Sequence, residues 1–316
     1  MRTEFVSCET KGFYSFQRNL RSPVPSIDLI AGGAFARGLE VTRKLFYGSA
    51  QWPLEKAIEE GMKEALVHYG DVVVPEAKEQ KGPDRVLTAL KEYFLKYPPG
   101  ADYVQPYMVD GEPSVEFTFT IPLPINHPDS GEPILYAGRF DLLGLFNGQL
   151  ICVDEKTTSQ LGASWAKQWN LRSQFTGYCW AAQQYGLPVV GALVRGVSFL
   201  KFTKANPGGH GFEESIQMRP DWMIEAWYNQ LLRDVNKMVA AYKEGFYDQN
   251  LHEACGSYSG CPFQRLCTVQ DPDNWIEGYY LPREWHPTAK VPYDQPQGQA
   301  IELINDPDLL ELFKNS

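Results

Sequence analysis

Two hydrophobic rhythms divide the chain. Up to Tyr97 the apolar positions recur at helical spacing. Leu29, Phe35, Leu39, Leu45 and Phe46 lie near one stripe, with Asp28 near its start, and predict a helix over 27–47. Leu54, Ile58, Met62, Ala65 and Leu66 predict a second over 54–69, and Val86, Leu87, Leu90, Tyr93 and Phe94 a third over 83–97. The period then falls to two. Val115 to Ile121 alternates strictly and predicts a strand. A second strand is predicted over 134–145, interrupted near Gly138, and a third over 150–153. The third is apolar on both faces, which predicts a central position in the sheet. Asn147-Gly148 between the last two is a hairpin-turn signal. A single helix over 163–185, a fourth strand over 188–202 and a long helix over 222–247 complete the pattern. This order predicts an α/β fold with a mixed central β-sheet flanked by helices, the last strand joining after a crossover helix.

Composition narrows the field. The 316 residues are 43% apolar and 22% charged, which excludes collagen, coiled coil and wholesale disorder. The longest apolar run, Leu187 to Val194, is far shorter than the ~20 residues a membrane span needs. Met1 to Ser7 holds no apolar signal core, so a cytoplasmic location is expected. In that reducing compartment the six cysteines are too few and too unevenly placed for a disulfide scaffold.

Net charge is −10, the wrong sign for an ordinary nucleic-acid binder. Its distribution changes that reading. No acid occurs from Thr157 to Phe212, while Lys167, Arg172, Arg195, Lys201 and Lys204 do. A local basic face can hold phosphate inside an acidic protein, because salt screens distant charge within about 8 Å. Lys167, Arg172, Arg195 and Lys201 are the candidate phosphate contacts, with Arg18 and Arg21 near the entrance.

The chemistry gathers at Gly138-Arg-Phe-Asp141 and Val153-Asp-Glu-Lys156. Alternation on a strand points Asp154 and Lys156 one way and Glu155 the other. The Asn147-Gly148 turn brings Asp141 beside them. Two carboxylates with open positions suit Mg²⁺ or Mn²⁺, and the carbonyl of Glu155 offers a third ligand. A D-x-K in isolation is more often a surface ion pair. Here it follows an apolar strand, where charge is expensive, and is followed by Gln174 and Tyr178, one helical turn apart.

In that order and spacing, Gly138-Arg-Phe-Asp141, Val153-Asp-Glu-Lys-Thr157 and Gln174-x-x-x-Tyr178 resemble the successive motifs of the PD-(D/E)XK nucleases. The likeness is to the RecB-like branch, which includes CRISPR-associated RecB-like exonucleases, the AddB nuclease domain and phage exonucleases, and it spans Gly32 to Cys267. It implies a restriction-endonuclease-like core and metal-dependent hydrolysis of DNA phosphodiesters. Asp141 and Asp154 would bind metal, Lys156 would serve the attacking water or transition state, and Gln174 and Tyr178 would support the site. The implied substrate is single- or double-stranded DNA, with a recombination or repair protein as the partner class. One position departs from the family. Gly32-Gly-Ala-Phe-Ala36 has alanine where the branch carries an early-helix histidine. Glu40, one turn on, is the candidate substitute metal ligand. If nothing substitutes, the expectation becomes a catalytically inactive DNA-binding or adaptor protein.

Cys255, Cys261 and Cys267 stand six apart in a Gly- and Pro-bearing stretch. A continuous helix cannot align that spacing, so a loop that wraps an ion or cluster is expected. Cys8 is the outlying fourth candidate. Some RecB-like nucleases are similar in carrying one cysteine before the core and three after it around a [4Fe–4S] cluster. A four-cysteine zinc site is the chemical alternative. Either would clip the terminal segments of the chain together. The expected organisation is an N-terminal segment (1–25), a nuclease core (26–250), a cysteine segment (251–270) and a tail (271–316).

Overall fold

The computed structural model of the protein describes residues 1–23, 26–204, 206–250, 254–256 and 260–283. The N-terminal segment holds α1 (Arg2–Ser7), α2 (Glu9–Gly12) and a π turn, then β1 (Leu20–Arg21). Next come α3 (Ile27–Tyr47), α4 (Leu54–Tyr69), a short 3-10 helix (Glu76–Lys81) and α5 (Pro83–Lys96). Strands β2 (Gln105–Pro106), β3 (Met108–Val109), β4 (Glu112–Pro113), β5 (Val115–Asn126), β6 (Pro133–Phe146) and β7 (Gln149–Thr158) follow. Helices α6 (Ala163–Lys167) and α7 (Ser173–Gln184) cross over to β8 (Val189–Thr203), which returns as β9 (Asn206–Met218). Helix α8 (Asp221–Glu244), α9 (Gln264–Cys267), α10 (Asp273–Tyr279) and β10 (Leu281–Pro282) complete the described chain.

These elements divide into two compact units. Among the described residues, one comprises 26–118 and 139–225, and the other 1–23, 119–138 and 226–283. Strands β5 and β6 and helix α8 contribute a segment to each. The central sheet has the order β2-β6-β7-β8-β9, with β5 also paired to β6. Every pairing given for it is antiparallel except β7 with β8. That parallel pair is the one joined by helices, as short turns cannot connect parallel strands. The expectation of a mixed sheet with a central third strand is met.

Asn147 and Gly148 form a two-residue turn with φ of 49° and 77°. Both lie in the left-handed region that a type I′ hairpin demands and that Asn and Gly tolerate. On one face of the sheet, Phe35 and Leu39 of α3, Tyr69 of α4 and Leu90, Tyr93 and Phe94 of α5 pack with Val197 and Phe199 of β8. Burying each large apolar side chain there contributes about 1.5–3 kcal/mol. Helices α3 and α4 approach through Gly38 and Gly61, whose missing side chains leave room for Leu90 and Thr42. In the other unit, Tyr14, Leu20, Phe263, Leu266 and Tyr280 form a small core beside the cysteine segment.

The single helix expected over 163–185 is two. Trp169, between them, is buried, and its carbonyl accepts a hydrogen bond from the buried Arg219 guanidinium at 2.9 Å. A tertiary bond overrides local propensity there. Strand β9 was not foreseen, because Pro207, Gly208, Gly209 and Gly211 read as a loop. The tail beyond 283, including Trp285, lies outside the described residues. No described helix is long and apolar enough to cross a membrane.

Candidate metal and phosphodiester site

The β6–β7 ladder runs from Phe146↔Gln149 to Leu142↔Val153. Continued by one step, that register would set Asp141 opposite Asp154, and Asp141 feels the Asp154 charge. Such cross-strand neighbours share a face, with Cβ atoms about 4.5–5.5 Å apart. Asp154 is 0% exposed. Its Oδ2 accepts a hydrogen bond from Gln174 Nε2 at 3.0 Å, and the same nitrogen lies 2.9 Å from the Tyr178 hydroxyl. Its Oδ1 is held by the Lys156 ammonium, 2.5 Å away. Both partners come from the first turns of α7, so Gln174 and Tyr178 at i and i+4 meet the carboxylate from one side.

Electrostatics mark this as a site held against its own charge. Burial pushes the Asp141 carboxyl well above the ordinary range, and Asp154 pushes it further. Asp154 is raised by burial despite the neighbouring Lys156 ammonium. Burial disfavours the Lys156 ammonium as well, but Asp154 and Asp141 outweigh it and the net shift is upward. Two carboxyls raised by burial and close enough for the charge of one to raise the other, with a single ammonium against their two charges, fit a hard divalent cation. The donor set is two carboxylates. Among the described residues no group of three or more His, Cys, Asp or Glu side chains converges to hold an ion.

Several expectations need correction. Arg195 is not a phosphate contact. It is 1% exposed, gripped by Asp102 at 2.6 and 2.8 Å and by Glu214 at 2.9 Å, and stacked over Tyr97. The Glu155 side chain points to the opposite face of β7, as the sequence predicts, where Arg43 reaches it at 2.5 Å and the Tyr93 hydroxyl donates to it at 2.7 Å. Burial raises the Glu155 carboxyl, but Arg43 and Tyr93 more than offset this and hold it below its usual range. Only its carbonyl remains for an ion. Glu40 lies on the α3 face that also carries Arg43. It is 5% exposed and paired with Arg37 at 2.9 Å and Lys44 at 2.7 Å, cations of its own helix.

Lys167, Arg172 and Lys201 are exposed. Arg172 caps the start of α7, lies over the Trp169 ring and is near enough to favour the Asp154 charge. Arg18 pairs with Asp273 at 2.8 Å, and Arg21 donates to the Pro282 carbonyl at 3.4 Å.

The Arg43–Glu155–Tyr93–Arg195–Asp102 network behind β7 escaped sequence reasoning. Its signal was present: Arg195 falls between Val194 and Val197 on a buried strand, where a guanidinium needs acidic partners.

The four thiols are free of disulfides. Cys8 accepts from the Asn250 amide at 3.5 Å, and Cys255 donates to the Asn250 carbonyl at 3.8 Å. The Cys261 amide donates to the Cys255 carbonyl at 2.8 Å. Burial pushes the Cys267 thiol up to about 11, with added pressure from Cys261, Cys8 and Cys255. The four are thus electrostatic neighbours, but the expected closed four-cysteine cluster is not formed among the described residues.

A search of curated proteins finds no match. A solved structure described as "Crystal structure of SSO0001" is 13% identical, covering 86% of this chain and 98% of its own, at a TM-score of 0.29. A likeness that low carries no argument. The family model of the PD-(D/E)XK nuclease superfamily matches residues 44–268, which include the Asp141–Asp154–Lys156 constellation and three of the four cysteines. The chain belongs to the PD-(D/E)XK nuclease superfamily.

Proposed function

We propose that the protein is a metal-dependent deoxyribonuclease of the RecB-like branch, acting as an exonuclease on DNA phosphodiesters. The observation that carries this is buried Asp154, held by Gln174 and Lys156, at the end of a β6–β7 ladder whose register leads to Asp141. Asp141 and Asp154 would hold Mg²⁺ or Mn²⁺, with the Glu155 carbonyl beside them. The ion would supply Lewis-acid activation of water and charge neutralisation at the phosphate. Gln174 fixes the carboxylate plane of Asp154 by donating to Oδ2. Lys156, an ammonium kept charged by both acids, orients the attacking water or meets the negative charge that grows on the phosphoryl oxygens.

Cys8, Cys255, Cys261 and Cys267 are proposed to hold a [4Fe–4S] cluster, with zinc as the alternative. What supports this is their mutual electrostatic influence and their free state. Bound, either would tie the N-terminal segment to the cysteine segment. Brown colour with broad visible absorbance in anaerobically purified protein selects iron–sulfur. A colourless, zinc-containing sample selects zinc, and absence of both metals overturns the assignment.

Digestion of end-labelled and circular DNA, single- and double-stranded, with Mn²⁺ tests the activity. Loss of linear but not circular substrate supports an exonuclease. Asp154→Ala and Lys156→Ala should each abolish hydrolysis with the fold intact; unchanged activity in either rejects the assignment. Ala36 favours a second reading, a DNA-binding protein without turnover. DNA affinity with no hydrolysis across Mg²⁺ and Mn²⁺ would select it.

A further inference from the structure

Strands β8 and β9 outrun the sheet. Strand β7 ends at Thr158, opposite Ser198, while β8 continues to Thr203 and pairs with β9 alone through Phe202↔Pro207 and Thr203↔Asn206. The root of this hairpin is pinned, since Arg85 donates to the carbonyls of Leu200 at 3.3 Å and Gly209 at 2.8 Å. Its tip reads Lys201-Phe202-Thr203-Lys204. Phe202 is 68% exposed, and both lysines are exposed with no ion-pair partner among the described residues.

Register relates this tip to the carboxylates. Parallel pairing sets Asp154 beside Val194 and Lys156 beside Gly196. Alternation carries that same face through Ser198 and Leu200 to Phe202. Six residues beyond Gly196 at about 3.3 Å each place Phe202 roughly 20 Å past Lys156 along the strand direction. That is about six base steps of a stacked strand. No acid occurs in the chain between Thr157 and Phe212, Lys167 and Arg172 are exposed there, and Glu213, which β9 sets opposite Gly196, is engaged by the Gly162 amide at 2.7 Å.

We propose that the β8–β9 hairpin tip is a binding site for single-stranded nucleic acid. Phe202 stacks on an unpaired base, and Lys201 and Lys204 meet the flanking phosphates. This deepens the nuclease reading and rests on it for the direction of the strand, which would run from the tip toward Asp154. An exposed aromatic ring flanked by cations is what base stacking with backbone neutralisation requires.

The test is fluorescence anisotropy with labelled oligothymidine in EDTA, where no hydrolysis occurs. Phe202→Ala should weaken binding at least about fivefold, the lower bound for loss of one stacked base. Phe202→Trp should restore it. Lys201→Ala and Lys204→Ala should each flatten the log affinity–log salt slope by about 0.7, one phosphate contact on a single strand. A dinucleotide cannot reach the tip, so its Mn²⁺-dependent cleavage should be unchanged in Phe202→Ala. Wild-type affinity in Phe202→Ala, or equal weakening on a duplex without ends, overturns the proposal. So does a Phe202-dependent self-association with unaltered DNA binding. Because binding is read without metal, a wild-type protein that binds but never cleaves would refute the nuclease reading and leave this one standing.

Discussion

Gln174 donates to Oδ2 of Asp154 from 3.0 Å while the Lys156 ammonium lies 2.5 Å from Oδ1, so the carboxylate is held at both oxygens. The glutamine is thus a positioning residue whose effect is felt through Asp154. Gln174→Ala should raise the Mn²⁺ concentration needed for half-maximal hydrolysis about 10–100-fold, the usual cost of removing a hydrogen bond to a metal ligand. Thermal stability should change little. A metal titration that superimposes on the wild type would remove the glutamine from the site.

Asp141 and Asp154 are both raised, first by burial and, for Asp141, by its partner's charge. A carboxyl with a raised folded-state pKa binds more protons folded than unfolded. Metal-free protein should therefore lose stability as pH climbs from the ordinary value of 3.8 through the raised ones. Divalent metal replaces the proton as the compensating positive charge. Mn²⁺ should then raise the melting temperature more at about pH 7 than at about pH 4. An equal shift at both would mean that the ion binds elsewhere.

Arg195 is a structural cation. Arg195→Met should cost about 3 kcal/mol, near the low end for breaking a buried pair because Glu214 is partly exposed. The salt dependence of DNA binding should be unaffected. A flatter salt slope with wild-type stability would restore its role as a phosphate contact.

The α3–α4 contact depends on two glycines. A methyl group at Gly61 would meet the Gly38 carbonyl oxygen at 2.6 Å and the Thr42 hydroxyl still closer. The backbone carbonyl cannot step aside. Gly61→Ala should gain about 1 kcal/mol of helix propensity but lose about 1–3 kcal/mol to overpacking. The expected net outcome is a lower midpoint of urea denaturation. A higher midpoint would show that the helices separate at little cost.

Much of this molecule could be read before its structure. The first two long helices match the predicted spans, and α5 ends at Lys96, one residue before its predicted end; each has a clean apolar stripe. The β6–β7 hairpin was legible because Asn147-Gly148 permits few other conformations. Since the turn fixes register, the juxtaposition of Asp141 and Asp154 was legible with it. Strand β7 runs on through Thr158, past its predicted end at Val153, because the sheet accommodates charges that pattern alone places outside it. The fate of Arg195 was hidden for another reason. Its partners Asp102, Tyr93 and Glu214 are distant in sequence, and only the β8–β9 pairing and the placement of α5 bring them together. Strand β9 was masked by its glycines, which sit where the hairpin narrows rather than where the chain turns away.

The two-residue turn at Asn147-Gly148 has a consequence for how such a sequence can change. Strand geometry obeys parity: lengthening that connection by a single residue would slide β7 by one place against β6 and exchange its inward and outward sets. Asp154 would then trade places with Glu155, and Ile151 and Val153 would exchange packing faces with Leu150 and Cys152 in the same step. Insertions at this spot are therefore punished twice, in chemistry and in packing, and a viable descendant would have to acquire them in even numbers or absorb the odd one in a bulge.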